Sequence, residues 1–111
     1  GVSGQPDILT PAMVGTMREP IVFALSNPDP EILPALASRA GAKIVATGRG
    51  DISNQVNNAV VFPSLMRKIL DERISRVSGE LMLSVARQIA RMTKPLTAQH
   101  IIPAVSEMRP L

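Results

Sequence analysis

Cysteine and stacking aromatic residues are the most evident absences from this 111-residue sequence. It has no cysteine, tyrosine or tryptophan and only two phenylalanines. Without cysteine there can be no disulfide and no thiolate metal site, and the single histidine, His100, cannot build a zinc site alone. Few aromatics and no basic block argue against nucleic-acid binding. The core must be aliphatic, and we expect the six methionines to act as filler within it.

Long apolar runs and targeting signals are also missing. No segment reaches the roughly 18 apolar residues of a membrane span, and no signal peptide is visible. We therefore expect a cytoplasmic protein with no membrane partner. The sequence begins not with methionine but with Gly1-Val2-Ser3-Gly4, a pattern typical of a strand end and the loop after it. We expect the chain to be cut from a longer one.

Hydrophobic residues make up 45% of the chain, enough for a core, and their pattern predicts alternating strands and helices. The apolar runs 21–25 and 44–47, the second within a predicted strand over 43–47, are typical of parallel strands covered on both faces. Helices are predicted to begin at Pro11, after Thr10 as N-cap, and at Pro34. This order predicts βαβ units in a parallel sheet, and hence an α/β fold.

Two further helices are predicted in the second half of the chain. One covers about 63–73, after a single turn over 58–62, and the other lies between its predicted cap Ser78 and Pro95. Apolar residues recur in the helices at the spacing of one helical face. The residues expected to face the core are Ala12, Met13, Val14, Met17, Leu65, Met66, Ile69, Leu70, Leu81, Met82, Val85, Ile89 and Met92.

A polar loop over 48–58 follows the second predicted strand. The loop beyond the carboxyl end of a strand is where open α/β sheets bind ligands. Because this loop holds the densest set of uncharged hydrogen-bonding side chains, we expect it to face a small polar ligand. The alternative is that Asn57 and Asn58 merely cap a helix, which asparagine does well. One of two adjacent asparagines can cap, so the second needs another reason.

Polar and turn-forming motifs stand in a fixed order along the chain. They are Pro20 to Pro28, Pro30-Glu31-Ile32, Ala46-Thr47-Gly48-Arg49, Asp51, Asn54-Gln55-Val56-Asn57-Asn58 and Phe62-Pro63. Together they resemble the NAD(P)-binding domain of malic enzymes, particularly the bacterial and archaeal type. The likeness is specific from residue 1 to about residue 75. Gly50, Ile52 and Ser53 depart from the family pattern, which is expected to have Ser, Tyr and Pro there.

The resemblance implies a fold and a division of the chain. We expect an α/β fold, the second half of a Rossmann-like doubly wound parallel sheet followed by C-terminal helices. Residues 1–75 are expected to be the C-terminal half of the NAD(P)-binding domain, and 76–111 the C-terminal helix and tail of the same domain. Independently of the resemblance, the two prolines within residues 96–111 predict an extended tail, docked by Ile101 and Ile102.

The resemblance also implies an activity, the oxidative decarboxylation of malate to pyruvate and CO₂ with NAD or NADP and Mg²⁺ or Mn²⁺. A carboxamide both donates and accepts hydrogen bonds, so asparagine can bind carboxylates and amides without adding charge. The residues that the resemblance assigns to the cofactor are Val2, Ser3, Ser26, Asn27 and Asn57, and the one assigned to the malate carboxylate is Asn58.

Other parts of the family's machinery are not in this sequence. The family's catalytic lysine, its tyrosine and its metal-binding acids lie in earlier parts of its sequence, and the GxGxxG unit is absent here. No catalytic or metal-binding residue is therefore assigned, and Asp29, Glu31 and Asp51 are interpreted as turn and loop residues. We expect the rest of the enzyme chain as partner, and a homo-oligomer in the full enzyme. The choice between NAD and NADP stays open.

Three alternatives remain at this point. The chain could be a non-catalytic nucleotide-binding or protein-interaction module. It could be a cell-adhesion ligand, because Arg49-Gly50-Asp51 spells the integrin tripeptide. It could also be a helical interaction domain that uses residues 78–93, although that apolar stripe is more simply explained as the domain's own core.

Overall fold

The computed structural model describes residues 1–108, and helices and strands alternate as predicted up to residue 47. In chain order the elements are helix α1 (Pro11–Gly15), strand β1 (Ile21–Ala24), helix α2 (Pro34–Arg39), strand β2 (Ile44–Thr47), a 3₁₀ turn (Asn58–Val60), helix α3 (Phe62–Asp71), helix α4 (Gly79–Met92) and a second 3₁₀ turn (Val105–Glu107).

These elements form two compact units. The first contains residues 1–56 and 97–99, and the second contains residues 57–96 and the described residues from 100 onward. The sequence predicted a different division, into residues 1–75 and 76–111 of one domain. The compact units do not test that division, and it stays a prediction.

The first unit is built on a parallel pair of strands. β1 pairs with β2 from Ile21 opposite Ile44 to Ala24 opposite Thr47. Parallel strands need a crossover connection, and α2 lies within it. The predicted βαβ arrangement is therefore confirmed.

Further backbone hydrogen bonds extend the pairing on both sides. The backbone N–H of Leu25 donates to the carbonyl of Gly1 at 2.9 Å, and the Gly1 amino group donates to the carbonyl of Phe23. On the other side, Thr47 of β2 forms a parallel bridge with Gln55. Gly1 thus lies beside β1 on one side of the strand pair, and Gln55 lies beside β2 on the other.

One face of β1 carries the core of the first unit. Val22 and Ala24 are buried with Val14, Ile32 and Ala37, which brings α1 and α2 to the same face of the strand. On the other face, Ile21 and Phe23 remain 50% and 40% exposed. The expectation that this strand is covered on both faces is therefore wrong, because both helices contribute to the same side.

The first helix is shorter than its apolar pattern suggests. The Thr10 hydroxyl caps it by accepting a hydrogen bond from the Met13 N–H, as predicted. Of the predicted inner face only Val14 is buried, whereas Met13 and Met17 are 51% and 38% exposed and Ala12 is exposed too. A five-residue helix makes little more than one turn, so a single position faces the core.

The second unit has its own aliphatic core, contributed by α3, α4 and the segments around them. Its buried members are Val60, Leu81, Val85, Ile89 and Met108, and Val61, Leu65, Ile69, Ile74, Met92 and Ile102 pack against them. Ser78 caps α4 by accepting from the Leu81 N–H at 3.1 Å, as predicted. The longest helix of this unit, α4, has 14 residues. Across residues 1–108, no helix has both the length and the apolar character needed to cross a bilayer.

The apolar stripes of α3 and α4 are narrower than predicted. Met66 and Leu70 are 46% and 69% exposed, and Met82 is 47% exposed. Helical spacing indicates the direction of a face but not its width, and in α3 only Leu65 and Ile69 reach the cluster. The expectation that methionines fill the core holds for Met92 and Met108 and is wrong for the other four.

The tail is only partly extended. Residues 105–107 form a 3₁₀ turn, so the expectation of an extended tail is wrong there. Ile102 packs on the second core, as predicted. Residues 97–99 belong to the first unit, where the Asn54 Nδ2 donates to the Ala98 carbonyl at 2.8 Å. The predicted tail also includes residues 109–111, which lie outside the described part of the chain.

His100 forms contacts with Pro95, just before the tail, and with Glu107 within the tail. Nδ1 of His100 lies 2.7 Å from the Pro95 carbonyl oxygen, and its Nε2 lies 3.4 Å from Oε2 of Glu107. Hydrogen bonding to the Pro95 carbonyl and then to Glu107 raises the pKa of His100 above its ordinary 6.5. Both ring nitrogens face acceptors, so the doubly protonated ring is favoured.

We expect His100 to titrate above pH 6.5 in the folded protein, as followed by NMR of its ring. Because the folded pKa is raised, its contribution to stability is complete below the unfolded pKa and is lost as the pH rises through the folded pKa. Glu107→Gln should lower the His100 pKa, whereas Glu80→Gln, at the exposed start of α4, should leave it unchanged. A wild-type pKa at or below 6.5 would contradict this assignment.

Candidate functional site

A buried carboxylate lies at the carboxyl edge of the first unit's sheet. Glu31 is 2% exposed and Ser26, just after β1, is 5% exposed. Oε1 of Glu31 accepts from the Ser26 N–H at 3.1 Å, and its Oε2 accepts from the Ser26 hydroxyl at 2.8 Å. Oε2 also accepts from the N–H and the hydroxyl of Ser3, at 3.0 and 3.2 Å. One side chain thus joins the loop after Gly1 to the loop after β1.

The Ser26 hydroxyl both donates and accepts a hydrogen bond. It donates to Glu31 and accepts from the N–H of Gly4 at 2.9 Å. The Ser3 hydroxyl in turn accepts from the N–H of Gln5 at 3.0 Å. The predicted cofactor residues Ser3 and Ser26 are therefore brought together, with Glu31 between them. Val2 lies in the same loop and is 84% exposed.

The hydrogen bonds keep Glu31 ionised. Burial raises its pKa, but hydrogen bonds from Ser3, from its own backbone and from Ser26 together outweigh burial and lower it from an ordinary 4.5 to about 2. The sequence interpretation of Glu31 as a turn residue missed this role. The only sequence signal was indirect, namely a serine at each of two predicted strand ends with an acid close to one of them.

Asn27, which follows Ser26, lies against the end of the neighbouring strand. A Cβ atom placed on Gly48 would lie 2.7 Å from Nδ2 and 3.0 Å from Oδ1 of Asn27. Only glycine allows the amide to come this close to the backbone. Asn27 is itself exposed, so its amide stands at the carboxyl ends of both strands, where parallel sheets bind ligands. Gly48 was not assigned a role from the sequence.

The two adjacent asparagines of the second unit form different contacts. Oδ1 of Asn57 accepts from the Ala59 N–H at 2.9 Å and so caps the 3₁₀ turn. Asn58 is the exposed first residue of that turn, and within residues 1–108 its side chain forms no hydrogen bond. Capping therefore explains Asn57 but not Asn58.

The charges of the loop after β2 neutralise each other. Nε of Arg49 lies 2.9 Å from Oδ1 of Asp51, and its second terminal nitrogen lies 2.6 Å from Oδ2. Hydrogen bonding to Arg49 holds the pKa of Asp51 below its ordinary value. The two charges of the Arg49-Gly50-Asp51 tripeptide are thus paired with each other and not presented separately, which gives no support to the cell-adhesion alternative.

The described residues do not fit a metal ion. Across residues 1–108, no three His, Cys, Asp or Glu side chains lie together in a way that could hold one.

We expect Glu31→Gln to destabilise the protein near neutral pH by about 3 kcal/mol, the free energy that corresponds to lowering a pKa from 4.5 to about 2. Since the folded pKa is depressed, this stabilisation is complete above pH 4.5 and is lost as the pH falls toward 2. Chemical denaturation at several pH values should show wild type and variant converging in acid. Equal stabilities at pH 7 would contradict the role given to this carboxylate.

The sequence of this chain is similar to those of known proteins. The family model described as "Malic enzyme, NAD binding domain" matches residues 1–111. The bifunctional malic/malolactic enzyme of Bacillus subtilis is 42% identical over 104 residues, which make up 91% of this chain and 25% of that protein. The NADP-dependent malic enzyme of Escherichia coli is 45% identical over 94 residues, 83% of this chain and 12% of that protein.

Solved structures agree with the sequence comparisons. The crystal structure of malic enzyme from Pyrococcus horikoshii matches with a TM-score of 0.86 and 41% identity, over 96% of this chain and 24% of that one. The chain thus spans a quarter or less of the length of these relatives. The predicted resemblance and the predicted α/β fold class are confirmed by these matches. By its match along the whole sequence, the chain belongs to the malic enzyme NAD-binding domain family.

Proposed function

We propose that this chain forms the C-terminal half of the NAD(P)-binding domain of a malic enzyme, which oxidatively decarboxylates malate to pyruvate and CO₂. The observation that carries the proposal is the family match over residues 1–111, with relatives named as NAD- or NADP-dependent malic enzymes. Two exposed asparagine amides support it, because each stands free to bind an uncharged amide or a carboxylate.

In the first unit, Asn27 is the proposed contact to the nicotinamide side of the cofactor. Its amide is exposed at the carboxyl edge of the sheet and lies against Gly48. Val2, Ser3 and Ser26 are proposed to form the cofactor-side surface of the same edge. Bound NAD(P)⁺ would accept the hydride from C2 of malate, and the residues of this chain would hold and orient the reactants for that transfer.

In the second unit, Asn57 and Asn58 are proposed to serve cofactor and substrate respectively. Asn57 uses its side-chain oxygen in the cap, which leaves its amide nitrogen for the nicotinamide side. Asn58 has both ends of its amide available and is proposed to donate to the malate carboxylate. The cap also fixes the start of the turn, so Asn57 would orient its neighbour.

The remaining functions are proposed for the rest of the enzyme. Its catalytic base and the ligands of Mg²⁺ or Mn²⁺ would lie in other parts of the chain, in a cytoplasmic homo-oligomer. A non-catalytic binding module is not favoured, because every relative described above is named as a malic enzyme.

The first test replaces Asn58 by alanine in the complete enzyme. Loss of a hydrogen bond to a charged group removes roughly 1.5–3 kcal/mol, so kcat/KM for malate should fall roughly tenfold to hundredfold. Cofactor affinity should change much less, because Asn27 and Asn57 remain. Stability should be nearly unchanged, because Asn58 is exposed and does not cap the turn.

Asn57→Ala is the matched control. Removing the cap should lower stability by about 1 kcal/mol, as measured by denaturation of the same enzyme. If Asn58→Ala leaves kcat/KM per folded enzyme unchanged, the proposed contact to malate is wrong.

A second test uses the 111-residue chain by itself. We expect no malate-dependent reduction of NAD(P)⁺ even with Mn²⁺, because the base and the metal ligands are proposed to lie elsewhere. The complete enzyme under the same conditions is the positive control. Turnover by the purified chain above a no-protein blank would show that the chemistry has been misplaced.

A further inference from the structure

We infer that Glu31 is a positioning residue for dinucleotide binding, acting through Ser3 and Ser26 without touching the ligand. This inference rests on the proposed function and adds to it a residue that the sequence analysis interpreted only as a turn residue. Glu31 is 2% exposed, so it is covered by the loops that it holds. Its effect must therefore pass through the groups that donate to it.

The arrangement of donors requires an ionised carboxylate. The backbone N–H of Ser26 points at Oε1, and that of Ser3 points at Oε2. A hydroxyl can either donate or accept a hydrogen bond, whereas a backbone N–H can only donate one. A glutamine amide would place its NH₂ donor against one of these two N–H groups, and protonation of the acid would weaken one of its two oxygens as an acceptor. The charged form of glutamate satisfies both N–H groups most strongly.

The loop that begins the chain is shaped around this carboxylate. A Cβ atom on Gly1 would lie 2.6 Å from Cδ of Glu31, so the carboxylate occupies the space where a larger residue would project. Gly4 has a φ of +70°, a value that favours glycine, and its N–H donates to the Ser26 hydroxyl. Residues 1–4 are thus fixed both to Glu31 and to the end of β1.

The same contacts fix the ligand-facing amide. Asn27 directly follows Ser26, which is held through its N–H and its hydroxyl. On its other side the Asn27 amide lies against Gly48. A shift of Ser26 would therefore move Asn27 relative to the end of β2. In the proposed function, Asn27 and the loop at Ser3 are both on the cofactor side, so one carboxylate sets their mutual position.

If Glu31 had only a structural role, a different experimental result would be expected. A buried network that only stabilises the fold would lower the Tm when broken and would leave dinucleotide binding by the folded protein intact. A positioning role requires binding itself to weaken. The two roles are separated by comparing Glu31→Gln with a core variant that also destabilises the first unit but lies outside the network.

The experiment measures the Kd of NAD⁺ and of NADP⁺ by calorimetry, together with KM, kcat and Tm, in the complete enzyme. Glu31→Gln should raise the Kd and KM of the preferred dinucleotide roughly tenfold to hundredfold, in line with losing hydrogen bonds to a charged group. KM for malate, measured at saturating dinucleotide, should stay within about twofold.

Two matched controls come from the same unit. Glu19→Gln removes the exposed ion pair with Lys43, 2.7 Å long, which lies just before the amino ends of β1 and β2. Val14→Ala opens a cavity at a core position that is 1% exposed. The first should leave Tm and Kd nearly unchanged. The second should lower Tm while leaving the dinucleotide Kd of the folded enzyme within about twofold.

If Glu31→Gln behaves like Val14→Ala, with a lower Tm and an unchanged Kd, the inference is overturned and the proposed function stands. If Glu31→Gln does not fold, Gly1→Ala provides the test, because it displaces the carboxylate without removing its charge. A raised Kd for that variant supports the inference, and an unchanged one overturns it. Wild-type enzyme that binds neither dinucleotide would instead overturn the proposed function, and this assignment with it.

Discussion

A buried negative charge has to be matched by donors, and in the first unit this requirement decides how two loops are built. An ionised carboxylate in an apolar interior is strongly disfavoured unless hydrogen bonds replace its lost water. Glu31 receives four hydrogen bonds, two from Ser3 and two from Ser26. Because two of the donors are backbone groups, the paths of both loops are fixed, and not only their side chains. These hydrogen bonds give both loops at the carboxyl edge of the sheet a defined path, although neither is helix or strand.

The two ends of the same pair of strands are held by different kinds of interaction. Before the amino ends, Glu19 pairs with Lys43 while their side chains are 70% and 63% exposed, and such exposed pairs contribute little to stability. At the carboxyl ends, the contacts are buried or depend on glycine, as where Asn27 lies against Gly48. The buried contacts and the close approach to glycine are therefore concentrated at the carboxyl end of the strands.

Local features of this fold could be predicted from the sequence, and long-range ones could not. The caps Thr10 and Ser78 and the start of α2 at Pro34 follow from residues within one turn of each helix end. Glu31 was missed because Ser3 lies 28 residues away, and nothing in the local pattern distinguishes a buried turn acid from an exposed one. The exposure of Leu70 was missed because periodicity gives the direction of a helix face but not how much of it a neighbour covers. Candidate ligand residues at the strand ends could be proposed because polar side chains follow apolar runs there, and they stay predictions.

The two adjacent asparagines show how a structural role can be separated from a binding role at neighbouring positions. The turn over 58–60 needs one cap, and Asn57 provides it from a backbone conformation of φ −133° and ψ 139°, which is extended as a cap requires. Asn58 is already within the turn, so its side chain cannot serve the same N–H groups. The Asn58 amide is exposed and directly follows the cap, so the cap fixes the backbone that carries it. Among residues 1–108 its side chain forms no hydrogen bond, so capping constrains residue 57 and does not account for the asparagine at residue 58.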